Sequence, residues 1–260
     1  MVMKVKGKAR KRLAKLRRSE SENIELRVAA GSDNSVDVYL YDVIGWPFIE
    51  AQDLLYQVPK NAKTINVHIN SPGGDVFEGM GIYNFLVGHK ATVHITVDAL
   101  AASSGSLVAM AGDRIEMKPA SFMMIHNPYS IMRGDAEEMR KEADLLDKIS
   151  NVFAKAYESI SGKSTDELLE MMKAETWFTP QEAKDAGLAH EISGQAEPGA
   201  DNGGHAAMFD LSVFNNVPQA LRQGSAGKRR QADAETHNNK GDITMPKELR
   251  ALLERLGLNK

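Results

Sequence analysis

The chain has 260 residues, 42% of them hydrophobic, and a formal net charge of -3. That suffices for one core-forming domain of roughly 150–200 residues with tails, and it excludes a protein that binds nucleic acid through its whole surface. Cysteine is absent, which excludes thiol catalysis, disulfides and cysteine-type zinc sites, and no run approaches the roughly 20 apolar residues of a membrane helix.

Nine Lys or Arg residues fall between Lys4 and Arg18 with no acid among them. Residues 1–22 read as a basic flexible arm, and any contact with nucleic acid is confined to it. The arm has no aromatic residue for base stacking and no apolar h-region of a secretory signal, so a cytoplasmic location is expected. A domain is expected over 23–192. Residues 24–28 and 36–41 read as strands; in the second, Val36, Val38 and Leu40 alternate with Asp37 and Tyr39. A helix over 49–57 is closed by Pro59. The β-branched strand 65–69 runs into Asn70-Ser71-Pro72-Gly73-Gly74-Asp75, and helical spacing resumes at Val76, Met80, Tyr83 and Leu86.

A further strand over 92–97 leads to Ala101-Ala102-Ser103-Ser104-Gly105-Ser106 and a short helix over 103–111. Strands at 114–117 and 121–125 follow. Strands separated by helices predict parallel pairing with right-handed crossovers, apolar on both faces, with active residues at the carboxyl ends of the strands. Residues 135–161 read as a long helix, with Met139, Ala143, Leu146, Ile149, Phe153 and Tyr157 at spacings of three and four. A helix over 164–172 comes next. Thr179-Pro180-Gln181-Glu182 reads as a capped helix start with proline at the first position. A last strand is expected over 188–192. From residue 193 to 260 the chain is mostly polar linker and disorder. The exceptions are a docking element over 208–221 and an amphipathic helix over 246–258.

The chemistry centres on Ser103 and His126. A hydroxyl at a sharp strand-to-helix turn is exposed beside free helix N–H groups. The small residues around Ser103 let a peptide approach, although Ser103 and Ser104 are not separable on this ground, and the same run would also serve close helix packing. His126 ends a buried-looking segment and is followed by Pro128, a placement suited to a general base as well as to a structural histidine. Gly73-Gly74 suits a positive-φ turn, or a turn whose N–H groups face the cleft. Gly162-Lys163-Ser164 lacks the earlier glycine of a phosphate loop. The other histidines show no metal-ligand spacing, so neither metal nor cofactor is expected.

Residues 69–74, Ala101-Ala102-Ser103, Met124-Ile125-His126-Asn127-Pro128 and 178–187 closely resemble the proteolytic subunit of Clp proteases, with order and intervals preserved over about residues 24–192. The resemblance implies an α/β fold of the ClpP/crotonase type, a spiral of ββα units with a long handle helix. It makes Ser103 the nucleophile of a serine endopeptidase and His126 its base. The N–H groups of Gly74 and Ser104 would form the oxyanion hole, with Gly73 and Asn127 on the substrate. It also implies self-assembly into rings, commonly stacked heptamers, and an ATPase ring partner for a general bacterial subunit. The family's aspartate is replaced by Thr176, with Glu175 just before it. Either Glu175 or Thr176 is expected to orient His126, with Asp98 and Asp113 as weaker substitutes. The Glu175-Thr176-Trp177-Phe178 pattern and the long C-terminal extension look like phage head maturation proteases, which implies capsid or scaffold precursors as substrates. A weakly active ring protein of the same fold and a crotonase-like acyl-CoA enzyme are the competing readings.

Overall fold

The computed structural model describes residues 27–30, 33–194, 209, 211–219 and 221. The basic arm, the start of the first expected strand, most of the polar linker and the expected helix over 246–258 lie outside the described residues.

Strand β1 (Arg27–Ala30) pairs antiparallel with β2 (Ser35–Leu40). From there the sheet is parallel through β3 (Thr64–Ser71), β4 (Thr92–Ala102) and β5 (Arg114–Met117). Strand β4 is longer than the spacing of its apolar residues predicts, because it serves two partners. His94 to Val97 pair with β5, and Leu100 to Ala102 pair with β6 (Phe122–Ile125). The sheet thus forks along β4. A short β7 (Thr176–Phe178) runs antiparallel to β6, and β8 (Glu191–Ile192) closes the other branch beside β5.

Helices α1 (Ala51–Gln57), α2 (Val76–Gly88) and α3 (Ser104–Ala109) connect the parallel strands. After β6 come α4 (Ala136–Ser161), α5 (Thr165–Lys173) and α6 (Pro180–Asp185). Their ends are written in the sequence. Asp75 accepts from the N–H groups of Phe77 and Glu78, and Asp135 does the same for Glu137 and Glu138. Thr179 and Glu182 form a capping box ahead of Pro180. Gly162 ends α4 in the left-handed region, and Ser164 caps α5, so Gly162-Lys163-Ser164 is a helix–turn–helix joint.

The expectation of strands apolar on both faces holds only near their carboxyl ends. Val36, Val38, Leu40, Ile65, Val67, Ile95, Val97 and Ile115 point into one core beneath the helices. The opposite face of β2, β3 and β4 is half-buried and carries Tyr39, His68 and Asp98. There Tyr41 and His68 both bond Asp98 Oδ2, at 2.6 and 3.0 Å. Only where β3 and β4 approach the glycine turn and Ser103 do both faces become buried, through Ile69, Asn70 and Ser71 and through Ala99 to Ala102. The strand ends that lead into the glycine turn and Ser103 are therefore the most fully buried.

A second apolar cluster joins Leu100, Ala102 and Met124 to Phe209, Leu211, Phe214 and Val217. The segment docks through a 3-10 turn, Leu211–Val213. Each such side chain contributes about 1.5–3 kcal/mol of transfer free energy at most.

Candidate active site

Ser103 sits between β4 and α3, with φ 55° and ψ -126°. A non-glycine residue there is strained by roughly 1–3 kcal/mol and persists only where its surroundings over-determine it. Here they do. The Ser103 N–H donates to the Met124 carbonyl at 3.0 Å. The Ser103 carbonyl accepts from the N–H groups of Ser106 and Leu107 at 3.0 and 3.2 Å, and from Ser106 Oγ at 2.7 Å. Ser106 Oγ also contacts the Met124 carbonyl at 2.8 Å and the fully buried Tyr157 hydroxyl at 2.9 Å. The long helix α4 therefore buttresses the turn. Sequence reasoning missed this network, having read Ser106 as one of a small-residue run and Tyr157 as core.

The turn turns Ser103 Oγ to His126, whose Nε2 lies 2.7 Å away. It buries Ser104 completely, and the Ser104 hydroxyl has no partner among the described residues. The two serines, equivalent in sequence, are thus distinct in space. The antiparallel β6–β7 pairing carries His126 on the end of β6. Burial pushes the imidazole below its ordinary pKa, and the Glu175 carboxylate pulls it partly back, so the ring is neutral and basic near pH 7. For Nε2 to accept the serine proton, Nδ1 must carry the ring hydrogen.

The glycine turn lies against this pair. A Cβ on Gly73 would meet the Ala102 carbonyl at 2.6 Å and the Ser104 nitrogen at 2.9 Å, and φ there is +87°. Side chains are excluded because the two backbones nearly touch. Gly74 has φ +148°, and its neighbours make the bridge to Ile44: the Ile44 N–H donates to Gly73, and the Asp75 N–H donates to the Ile44 carbonyl. In a parallel bridge of this kind the N–H of Gly74 itself faces away from Ile44. Neither that N–H nor the first helical N–H, of Ser104, has an acceptor among the described residues. Ser71 shapes the turn, donating to the Asp42 carbonyl at 2.6 Å and accepting from the Gly73 N–H at 3.1 Å.

The candidates for a third member fall differently. Thr176 Oγ1 donates to the Met171 carbonyl at 2.6 Å. Glu175, at φ 50°, is nearly buried. Its carboxylate accepts from the N–H groups of Asn215 and Asn216 at 2.8 and 2.6 Å, from Asn215 Nδ2 at 3.2 Å and from the Trp177 indole at 3.3 Å. Burial pushes this carboxyl up, but those donors outweigh it and hold it below the ordinary range. Neither Glu175 nor Thr176 hydrogen-bonds His126. Asp98 is on the other face of the sheet, and Asp113 accepts from the Val93 N–H at 2.8 Å; both lie away from the site.

Ser103, His126, Gly73 and Gly74 line a cleft of about 430 Å³, together with Val43, Pro72, Val76, Pro128, Tyr129, Phe209, Val213 and Phe214. A second cleft of about 410 Å³ opens on the other side of His126, bordered by Asn127, Glu175, Val213 and Asn215. Asn127 therefore faces the Glu175 side of the histidine. No cluster of three or more His, Cys, Asp or Glu residues could hold a metal among the described residues, and none of their helices is long and apolar enough to cross a membrane.

The Clp protease family model matches residues 48–196. The chain is 31% identical over 146 residues to an ATP-dependent Clp protease proteolytic subunit of Bacteroides fragilis, covering 55% of this chain and 70% of that protein. It is 32% identical over 163 residues to proteolytic subunit 1 of Leifsonia xyli subsp. xyli, covering 61% and 81%. Against proteolytic subunit 2 of a Synechococcus species it is 30% identical over 146 residues, covering 55% and 74%. The match contains the serine turn, the glycine turn and the histidine strand in a single α/β unit: the chain belongs to the Clp protease family.

Proposed function

We propose that the chain is a Clp-type serine endopeptidase subunit with Ser103 as nucleophile and His126 as general base. The observation that carries the reading is the 2.7 Å contact between Ser103 Oγ and His126 Nε2, made at a strained turn beside a glycine-walled cleft. His126 takes the hydroxyl proton as Oγ attacks a peptide carbonyl carbon. The oxyanion that forms accepts from the N–H groups of Gly74 and Ser104, two donors held by backbone geometry before substrate arrives. His126 then gives its proton to the leaving amine. Water, deprotonated by the same imidazole, attacks the acyl-enzyme and restores the serine. Gly73 keeps the cleft floor low enough for an extended peptide, and Asn127 lies beyond the imidazole. Glu175 assists as a fixed negative charge near the imidazolium.

The relatives' names favour work with a Clp ATPase, which would unfold protein substrates and feed them to a peptidase ring. The narrower expectation, cleavage of capsid or scaffold precursors, rests on the Glu175 to Phe178 pattern and the C-terminal extension. None of the relatives named above bears that role in its name. A fluorophosphonate should label the wild-type chain and leave Ser103→Ala unlabelled, and folded proteins should be degraded only when a Clp ATPase and ATP are added. Equal labelling of Ser103→Ala would overturn the nucleophile.

A further inference from the structure

We propose that Phe209, Val213 and Phe214 form a specificity-determining wall that selects the side chain next to the scissile bond, and that Glu175 moors this wall to the catalytic body. The inference rests on the serine-peptidase reading of the cleft. The wall comes from chain beyond the family match, which ends at residue 196.

Three observations meet here. First, the segment leaves Ser103 partly exposed; it borders the cleft that Ser103 and the largely buried His126 both line. Second, it reaches the catalytic histidine itself. The Phe214 ring stands edge-on to the His126 ring, with centroids 5.4 Å apart and planes at 87°, and Trp177 backs Phe214 from behind at 5.8 Å. Val213, though 58% exposed, stands at the divide and borders the clefts on both sides of the histidine. A side chain carried beside the bond that Ser103 attacks must pass these residues. What it meets is apolar, since Val43, Val76 and Tyr129 complete the lining. Third, the wall is held in register by more than apolar packing. Both Glu175 oxygens are occupied by donors from Asn215 and Asn216, and Asn216 Nδ2 adds a bond to the Ala174 carbonyl at 2.8 Å. The left-handed backbone at Glu175 and these bonds put the carboxylate to use as an anchor, which accounts for its lack of a bond to His126. The ligand class is a peptide with a large apolar residue, such as Leu or Phe, beside the cleaved bond.

The test uses the full chain and two sets of three peptides, which carry Ala, Leu or Phe on one side or the other of the cleaved bond. Wild type should prefer Leu or Phe in one set. In Val213→Ser and Phe214→Ala the ratio of kcat/KM for the Phe peptide over the Ala peptide of that set should fall about tenfold, mainly through KM, the scale on which apolar pockets discriminate. Glu175→Gln should reduce the same ratio, because it loosens the mooring. Val213 is exposed, so Val213→Ser keeps the experiment decisive if Phe214→Ala misfolds, and the thermal unfolding midpoint reports which has happened. An unchanged ratio in Val213→Ser overturns the proposal, whether the absolute rates rise, as for a removed cover, or fall. Failure of wild type to react with a fluorophosphonate would instead strike the peptidase reading.

Discussion

At Glu175 two roles meet in one carboxylate, and pH separates them. In the proposed mechanism activity requires neutral His126, so the acid limb of the rate profile reports its pKa. Burial lowers that pKa and the Glu175 charge opposes it. Glu175→Gln keeps the shape and removes the charge, so the acid limb should move to lower pH while the plateau rate falls about tenfold. The fall is smaller than the about 10⁴-fold loss known where an acid bonds the histidine directly, because no such bond exists here. A limb that stays in place, with activity lost in Thr176→Val instead, would return the orienting role to the threonine. The serine turn and the histidine that meets it were legible in sequence because small-residue turns and a histidine at a strand end are local patterns. The moorings of Glu175 were not, since Asn215 and Asn216 lie about 40 positions away and neither belongs to a motif. For Thr176 the sequence gives the position, whereas the partner of its hydroxyl, the Met171 carbonyl, follows from the fold.

Between elements, the spacing of α2 and α3 sets where the Ser104 N–H sits. Gly79 makes that spacing: a Cβ there would lie 2.6 Å from Ser104 Cβ. Gly79→Ala gains up to about 1 kcal/mol in helix propensity, but overpacking of a closed contact costs about 1–3 kcal/mol. The second effect wins, because the clashing atom is a Cβ and cannot swing away. The expected result is a lowered melting temperature and slower fluorophosphonate labelling of Ser103; a more stable variant labelled at the wild-type rate would show that the helix pair is free to adjust. The helices themselves were legible because their periodicity and caps are local. The fork in β4 was not, because strand length there is decided by two different partners and not by the alternation of Thr92 to Val97. The two-faced burial expected of a parallel sheet failed for a related reason: helices cover one face of the sheet, and the other carries half-buried Tyr39, His68 and Asp98.

For the whole molecule, the unequal burial of α4 is the telling feature. Its second half is packed through Ile149, Phe153, Ala154 and Tyr157, whereas residues 136–148 are largely exposed. At 1.5 Å per residue, that leaves about 20 Å of helix standing off the body. The projection is not uniformly polar. Met139 and Leu145 within it are 52% and 41% exposed; Val152, one heptad after Leu145 on the same face, is 52% exposed, and Ile131, before the helix, is 94% exposed. If the subunits assemble through this helix, as the proposed peptidase ring would have it, these apolar residues would be covered. The wild-type chain should therefore sediment as an assembly of many copies. A charge within a covered apolar face loses its water without gaining a partner, so Leu145→Glu and Met139→Glu should shift the sedimenting mass to smaller species. The far-ultraviolet circular dichroism of each subunit should be retained, because neither side chain contributes to the core. If the wild type sediments at the mass of one chain, or if both variants assemble as it does, these residues do not hold the subunits together and the peptidase ring built on this helix is lost from the proposal, leaving the Ser103–His126 chemistry to stand on its own geometry.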